Sequence, residues 1–212
     1  MYKLILASQS PRRKELLKMI ESEFEIKVSN CEEIITSSEP KQVTMELAEQ
    51  KAMAVANELN RQKKNDKQIE TTVKDEDSFI VIGADTVVAS GTEIFGKPKD
   101  KDDARRMINK ISGASHQVYT GVALVLVKGG KVERIDVFSE KTDVEVVHMS
   151  SQEIEEYINS TEPYDKAGGY GIQGTFGKYV TGIKGDYNNV VGLPVARIYK
   201  ELQKLGIDPY LW

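Results

Sequence analysis

A compact apolar run in the middle of the chain constrains the fold more than any other feature. The run, FIVIGA, extends from Phe79 to Ala84 and passes directly into the polar pair Asp85–Thr86. An apolar run of this length is typical of a strand that is buried on both faces of a sheet. We therefore predict a central strand that presents a carboxylate at its end, which is a common way to build an active site.

The segments before this strand alternate between strand and helix patterns. KLILAS near the start and residues 24–29 have strand patterns, Ser10–Pro11 starts a helix, and Thr44 to Leu59 carries apolar side chains at helical spacing. Residues 60–78 are crowded with charges of both signs and contain few aliphatic side chains. Because such a segment cannot bury a core face, we predict a solvated, mobile insertion there.

The second half of the chain mixes a hairpin with helices. Residues 117–127 and 132–138 predict two strands joined at Gly129–Gly130. Helices are expected over residues 100–111, after the capping pair Ser150 and Glu153, and after Pro194. The two halves together indicate a mixed sheet, so we predict an α/β fold in two lobes, with residues 1–212 forming a single domain.

Composition excludes several function classes. The net charge of −4 argues against a nucleic-acid binder, and the longest apolar run, Val122 to Val127, is too short to span a membrane. Cys31 is the single cysteine, which excludes an intrachain disulfide and favours a reducing compartment, so we expect the cytoplasm. His116 and His148 are the two imidazoles, so metal ligands are expected to be carboxylates, and we interpret His116 as structural.

The segment from Ser8 to Arg13 contains a candidate anion site. It places hydroxyl groups and the guanidinium groups of Arg12 and Arg13 where a strand runs into a helix N-terminus. Free backbone N–H groups at a helix start attract anions, and arginine matches the geometry of phosphate. Taken alone, a capped helix with two solvent-facing arginines explains the segment equally well.

Carboxylates and lysines elsewhere in the chain are candidates to complete such a site. Asp85 and Lys97 each follow a strand-like segment, so a carboxylate and an ammonium group can converge. The pair Glu32–Glu33, together with Asp85, offers oxygen ligands for a divalent cation that neutralises a polyphosphate. Lys51 lies beside the apolar stripe of its helix, where its ammonium group can reach a phosphate. Each of these residues also has an ordinary surface explanation.

Seven glycines between Gly168 and Gly185 predict a functional loop or a set of tight turns. The preceding residues join them in the stretch EPYDKAGGYGIQG, residues 162–174. Glycines let the backbone approach a ligand closely, and the amide of Gln173 can donate and accept at once, as reading a base edge requires. A glycine-rich hairpin without a ligand is the alternative.

Seven sequence blocks, taken together, resemble the Maf-like nucleotide pyrophosphatase family. The blocks occur in the family's order and span nearly the whole chain. They are LILASQSPRRKELL, the Glu32–Glu33 pair, VIGADTVV, FGKPKD, SGASHQVYTGVAL, EPYDKAGGYGIQG and VVGLP. The resemblance implies a two-lobed α/β fold of the inosine triphosphatase type, with a nucleotide bound in the cleft between the lobes.

The resemblance also implies an activity and a cofactor. A nucleoside triphosphate is hydrolysed to the monophosphate and pyrophosphate with a divalent cation, Mg²⁺ or Mn²⁺. The implied role is house-cleaning, with modified pyrimidine triphosphates among the substrates.

Matching positions carry the family's residue roles onto this chain. Asp85 matches the proton acceptor that activates water, and Glu33 matches the carboxylate that supports the metal together with Asp85. The residues expected around the phosphates are Ser8, Arg12, Arg13, Lys51 and Lys97. Arg12, Thr86 and Gln173 match positions associated with substrate choice in the branch that acts on dTTP and UTP, so we favour that branch over the one that prefers 7-methyl-GTP.

Two other functions stay open from the sequence. A nucleotidyltransferase such as a sugar-nucleotide synthase would use similar residues, but the N-terminal segment lacks the glycine-rich loop expected there. A non-enzymatic nucleotide-binding regulator of cell division is the second alternative, and the presence of Asp85, Glu33, Lys51 and Lys97 argues against it. The number of subunits is also open, with a homodimer as one arrangement.

Overall fold

The computed structural model describes residues 2–28, 31–67 and 78–207, with the backbone alone for residues 63–67. The strands in these residues are β1 (Lys3–Leu6), β2 (Glu25–Ile26), β3 (Phe79–Ser90), β4 (Glu93–Phe95), β5 (Ser115–Lys128), β6 (Lys131–Val146) and β7 (Val180–Lys184). The α-helices are α1 (Pro11–Leu17), α2 (Pro40–Lys67), α3 (Lys101–Ile111), α4 (Ser151–Ile158), α5 (Tyr187–Val191) and α6 (Val195–Lys204). Three 3₁₀ turns, Glu162–Asp165, Ala167–Gly169 and Thr175–Tyr179, follow α4. None of the described helices combines the length and the apolar character that crossing a membrane requires.

The strands form one mixed sheet. Their order is β2-β1-β3-β5-β6-β7, and β4 pairs with β3 outside this path. β1 is parallel to both β2 and β3, whereas β3, β5, β6 and β7 pair with one another in antiparallel fashion. The predicted mixed α/β fold is confirmed, and the run from Phe79 to Ala84 does begin a central strand.

The predicted end of that central strand is wrong. β3 continues past Ala84 to Ser90, so Asp85 and Thr86 lie within the strand, paired with Gly121 and Thr120 of β5. The strand continues because Val87, Val88 and Ala89 are buried and keep the pairing with β5. Asp85 therefore lies inside the pairing with β5, with paired residues before and after it along β3.

Helix α2 is longer than the predicted Thr44–Leu59. It begins at Pro40 and ends at Lys67, so it includes the first residues of the charged segment that we predicted as a mobile insertion. Arg61 and Gln62 of this extension are exposed, and the Gln62 amide donates to the Glu58 carboxylate one turn earlier at 3.0 Å. The rest of the predicted insertion, residues 68–77, lies outside the described residues.

Successive residues of the inner strands pack into different cores. Ile80 and Ile82 of β3 face a core shared with α1 and α6, whereas Val81 faces a core formed with α2. This alternation follows from the period of two in a β-strand and explains why residues 79–84 of β3 are all apolar. A further core, centred on Phe176 and Ile108, packs α3, α4 and the 3₁₀ turns against the far ends of β5 and β6.

The second half of the chain confirms the hairpin and adds elements that were not predicted. Gly129 and Gly130 have φ angles of 57° and 75°, which the tight turn between β5 and β6 requires. The helices predicted at residues 100–111, after Ser150 and after Pro194 are present. The glycine-rich stretch forms 3₁₀ turns as expected, but it also contains β7.

Candidate functional site

A cavity of about 900 Å³ lies where the cores meet. This volume lies within the range of roughly 300–1,000 Å³ that is typical of ligand pockets. Of the described residues, five cationic and three carboxylate side chains line the cavity, although the whole chain has a net charge of −4. The lining includes every site residue predicted from the sequence: Ser8, Arg12, Arg13, Glu33, Lys51, Asp85, Thr86, Lys97 and Gln173. The structure thus brings these residues together, and their individual roles stay predictions.

The carboxylates of Asp85 and Glu33 share one ammonium group. Lys51 Nζ lies 2.5 Å from Asp85 Oδ1 and 2.9 Å from Glu33 Oε1. The Asp85 and Lys51 side chains are mostly buried, whereas Glu33 is half exposed. The second oxygen of Asp85, Oδ2, makes no hydrogen bond to any described residue and remains available as an acceptor.

Two glycines allow α2 to carry Lys51 this close to the sheet. A Cβ atom on Gly83 would collide with the backbone of Ala48 and Ala52, and one on Gly121 would collide with the backbone of Thr44. The helix backbone therefore rests directly on β3 and β5, with no side chain between them at these two points. This close approach fixes the distance between Lys51 and Asp85.

Arg13 organises the floor of the cavity. Its Nε donates to the carbonyl of Gly192 at 2.8 Å, one terminal nitrogen donates to the carbonyl of Ala84 at 2.9 Å, and the other donates to Thr86 Oγ1 at 2.9 Å. A longer bond of 3.4 Å reaches Ser8 Oγ. Burial lowers the pKa of Arg13, and the nearby Asp85 opposes that shift. Arg13, which we predicted to bind phosphate, thus also connects α1 to β3 and to the segments that follow β1 and α5.

Thr86 is the second member of a polar chain that begins at Arg13. Thr86 Oγ1 lies 2.9 Å from Thr120 Oγ1, and Thr120 donates its hydroxyl proton to the carbonyl of Asn189 at 2.9 Å. Since Thr120 has only one proton, Thr86 must donate to Thr120 while it accepts from Arg13. The hydroxyl of Thr86 is therefore fixed in orientation.

Arg12 lines the cavity beside Arg13 but contacts a different part of the chain. It donates to Asp165 Oδ2 at 3.2 Å, and Lys166 Nζ lies 2.5 Å from the other oxygen of Asp165. Burial favours a higher pKa for Asp165, but the hydrogen bonds from Lys166 and Arg12 outweigh it and lower the pKa below its ordinary value. An ion pair thus joins α1 to the 3₁₀ turn Glu162–Asp165 across the cavity.

Lys97 and Gln173 reach the cavity without protein partners of their own. Within residues 2–28, 31–67 and 78–207, neither side chain makes a hydrogen bond or an ion pair. Lys97 follows β4 and Gln173 lies in the turn that follows the 3₁₀ turns of residues 162–169. An unpaired ammonium group and an unpaired amide are both free to bind a ligand.

The acidic residues fit a divalent cation that arrives with a ligand. Mg²⁺ is usually held by one or two carboxylates, with substrate phosphates and water completing its six oxygen ligands. Glu33 and Asp85 supply two carboxylates, and no group of three or more acidic, histidine or cysteine side chains is present in the described part of the chain. Two carboxylates at this place suit a metal that is bound together with phosphates.

Three contacts of the glycine-rich segment were not anticipated from the sequence. Asp165 and Lys166 line the cavity, and Glu162 anchors the backbone that follows Gln173. The sequence block that contains them was recognised, but a Pro-containing 3₁₀ turn cannot be distinguished from a hairpin by residue pattern. His116, predicted to be structural, is fully buried and bonded to Tyr170.

Comparisons with known proteins identify the family of this chain. The family model described as Maf-like protein matches residues 3–205. A protein of Agathobacter rectalis named dTTP/UTP pyrophosphatase is 52% identical over 209 residues, which cover 98% of this chain and 100% of that protein. Proteins with the same name from Lachnoclostridium phytofermentans and Bacillus cereus are each 44% identical over 209 residues, or 98% of both chains.

Among solved structures, that of the Staphylococcus aureus Ham1 protein matches with a TM-score of 0.40 and 14% identity, over 68% of this chain and 71% of that one. A similarity this low supports no conclusion about the fold. The family assignment rests instead on the sequence. The family model matches nearly the full length of the chain, and the relatives are 44–52% identical to it. The chain belongs to the Maf-like protein family.

Proposed function

We propose that this protein hydrolyses dTTP and UTP to the nucleoside monophosphate and pyrophosphate. The observation that carries the proposal is the Asp85 carboxylate, which is held through Oδ1 by Lys51 and leaves Oδ2 free inside a cationic cavity. The full-length similarity to proteins named dTTP/UTP pyrophosphatase supports this reaction and these substrates.

Asp85 is proposed to activate the attacking water. Its Oδ2 accepts a proton as the water oxygen forms a bond to the α-phosphorus, and the bond from that phosphorus to the bridging oxygen of the β-phosphate breaks. Pyrophosphate leaves with the bonding electron pair. Lys51 holds the carboxylate in one orientation through the 2.5 Å contact, so the acceptor is aligned before the nucleotide binds.

Fixed positive charge stabilises the negative charge that builds up on the phosphates. Lys97 and Arg12 face the cavity, and the helix α1 begins there with its free backbone N–H groups. When bound, a divalent cation held by Glu33 and Asp85 supplies a further positive charge at the phosphate oxygens. Arg13 stabilises the backbone that lines this surface by donating hydrogen bonds to the carbonyls of Ala84 and Gly192.

Gln173 is proposed to read the base. The amide of Gln173 can donate to a ring carbonyl and accept from the adjacent ring N–H, which is the pattern that thymine and uracil share. A base with another pattern would face the amide with mismatched donors and acceptors, so the amide discriminates against that base. Thr86 and Arg12 are proposed to contribute to the same choice.

The deciding experiment measures pyrophosphate release from purified protein with Mg²⁺ or Mn²⁺ across dTTP, UTP, CTP, GTP, ATP and 7-methyl-GTP. We expect release from dTTP and UTP. The Asp85→Asn variant keeps the shape of the side chain but removes the base, so turnover should fall by roughly 10²–10⁴-fold while nucleotide binding persists. An Asp85→Asn protein of unchanged activity contradicts the mechanism, and absence of release from every nucleotide contradicts the function.

We further propose the cytoplasm as the compartment, because nucleoside triphosphates are used there and a chain with one cysteine suits a reducing environment. A homodimer remains a proposal as well. Size-exclusion chromatography with light scattering gives the subunit number directly.

A further inference from the structure

Glu162 binds the backbone beside Gln173 through both of its carboxylate oxygens. Oε2 accepts from the backbone N–H of Thr175 at 2.9 Å and from the Thr175 hydroxyl at 2.7 Å. Oε1 accepts from the Tyr157 hydroxyl at 3.2 Å and from the Phe176 N–H at 3.4 Å. Burial acts to raise the pKa of Glu162, but the bonds from Thr175 and Phe176 outweigh it and keep the pKa below its ordinary value. One carboxylate therefore gathers four donors.

The turn that carries Gln173 is held by its own backbone bond, by Ile172, which packs against the core shared with α1 and α6, and by Glu162. Gly174 N–H donates to the carbonyl of Gly171 at 3.0 Å, which closes a four-residue turn with Gln173 in its third position. The end residues of this turn have no side chain, and a Cβ atom on Gly174 would collide with the Glu162 carboxylate. The turn thus packs directly against Glu162, whose carboxylate holds the polar side of the turn while Ile172 packs on the core.

The 3₁₀ turn Glu162–Asp165, which contains Glu162, also contacts Arg12. Glu162 and Asp165 lie at its two ends, and Asp165 bonds to Arg12 at 3.2 Å on the other side of the cavity. A single four-residue segment therefore contacts both the Gln173 turn and Arg12. The separation between these two groups depends on this segment.

We propose that Glu162 is a positioning residue for nucleobase selection and acts through Gln173. The inference rests on the proposed function, in which Gln173 reads the base. Glu162 itself contacts neither substrate nor reacting atoms, and it fixes the place of the turn that carries Gln173 by anchoring Thr175 and Phe176.

The use of CTP relative to UTP tests this positioning role of Glu162. A glutamine amide that donates to a carbonyl and accepts from N3–H matches uracil, and the same amide turned by 180° matches cytosine. Discrimination between UTP and CTP therefore depends on where the turn places the amide against the base edge, because an amide that has moved can turn over and pair with cytosine. Loss of the anchor should raise the use of CTP relative to UTP, beyond any general loss of activity.

The experiment compares kcat/KM for UTP and CTP in the wild type, Glu162→Ala, Glu162→Gln, Gln173→Ala and the double variant Glu162→Ala with Gln173→Ala. We expect the UTP/CTP ratio to fall about tenfold or more in Glu162→Ala and in Gln173→Ala. Glu162→Gln keeps one acceptor oxygen and should lie between the wild type and Glu162→Ala. In the double variant the ratio should equal that of Gln173→Ala alone, because Glu162 has nothing left to position.

Glu153→Ala is the matched control for a purely structural effect. Glu153 forms the capping box at the start of α4 and bonds to Ser150, so its loss lowers the melting temperature without touching the Gln173 turn. We expect this variant to keep the UTP/CTP ratio. If Glu162→Ala does not fold, Thr175→Val, which removes the 2.7 Å bond to Oε2 alone, takes its place in the same comparison.

The outcomes separate this inference from the proposed function. If Gln173→Ala lowers the ratio but neither Glu162→Ala nor Thr175→Val does, the positioning role is overturned and base reading by Gln173 stands. If Glu162→Ala lowers the ratio further in the Gln173→Ala background, Glu162 acts by another route, and the inference is again overturned. If Gln173→Ala leaves the ratio unchanged, base reading by Gln173 fails and the positioning role fails with it.

Discussion

The ammonium group of Lys51 lies 2.5 Å from Asp85 Oδ1, and the same nitrogen lies 2.9 Å from Glu33 Oε1. In the structure, Lys51 thus neutralises the two carboxylates that are proposed to bind the metal. Two cations that require the same oxygens compete for them. A metal–nucleotide complex can offer phosphate oxygens to Lys51 in exchange, whereas a free metal ion cannot.

Removal of Lys51 is therefore expected to strengthen binding of Mn²⁺ alone while it abolishes efficient turnover. For Lys51→Met we expect about a tenfold lower dissociation constant for free Mn²⁺, since the carboxylates lose a competing charge at hydrogen-bond distance. Electron paramagnetic resonance of free Mn²⁺ measures this without any reaction. Lys97→Met is the control, because Lys97 has no carboxylate partner in the described part of the chain, and its Mn²⁺ affinity should not rise. Weaker or equal Mn²⁺ binding by Lys51→Met contradicts the competition.

Arg13 and Arg12 are neighbours in sequence but should respond differently to replacement by lysine. Arg13→Lys removes a planar group that serves acceptors in three directions, namely Ala84, Thr86 and Gly192. We expect the free energy of unfolding to fall by about 2–4 kcal/mol, because acceptors in the cavity floor lose their donors. Arg12 makes one exposed bond to Asp165, so Arg12→Lys should change the free energy of unfolding by less than about 1 kcal/mol. Urea denaturation of both variants provides the test, and equal losses would contradict the organising role of Arg13.

Gly83→Ala tests the close approach of α2 to the sheet. The new Cβ atom would meet the backbone of Ala48 and Ala52, so either the helix or β3 must shift. We expect destabilisation of about 1–3 kcal/mol or more, together with slower turnover, because Lys51 moves with its helix. Gly96→Ala is the stability control, since a Cβ atom there meets no atom within 4 Å. Thermal unfolding of the two variants should differ clearly, and a Gly83→Ala protein as stable as Gly96→Ala rules out the tight contact.

The sequence predicted the parts of the fold that depend on local pattern. The apolar run at Phe79, the hairpin at Gly129–Gly130 and the capping pair Ser150–Glu153 each indicated an element that is present. These patterns suffice because burial on both faces, a positive φ and a cap each impose a specific residue type at a specific spacing. The cavity residues were found through the resemblance of seven blocks, since no single block was specific enough.

The features that the sequence did not predict depend on distant contacts. Asp85 was expected at the end of a strand, but pairing with Gly121 across β5 extends β3 through it. The role of Arg13 depends on the carbonyl of Gly192, which is 179 positions away in the chain. The anchoring of the Gln173 turn by Glu162 likewise depends on a contact between residues 13 positions apart, Glu162 and Thr175. Residue spacing along the chain carries no information about such contacts.

His116 should make the stability of the protein depend on pH. Its side chain is fully buried, Nε2 lies 2.7 Å from the Tyr170 hydroxyl, and burial lowers its pKa from an ordinary value of 6.5 to about 4. Because the folded-state pKa lies below that of the unfolded chain, the unfolded chain binds the proton first as the pH falls. Stability from this residue is therefore present above pH 6.5 and is lost progressively as the pH falls from about 6.5 to about 4.

The loss is expected to be about 2 kcal/mol of unfolding free energy between pH 7 and pH 4.5, and the variant His116→Gln should not show it. Carboxylates titrate over the same range in both proteins, so the difference between the two pH profiles isolates the imidazole. Glutamine can still bond to the Tyr170 hydroxyl but carries no proton that titrates in this range. Urea unfolding at half-unit steps gives both profiles. Parallel profiles would mean that His116 gains its proton as readily in the folded protein as in the unfolded chain, and that burial does not hold it neutral.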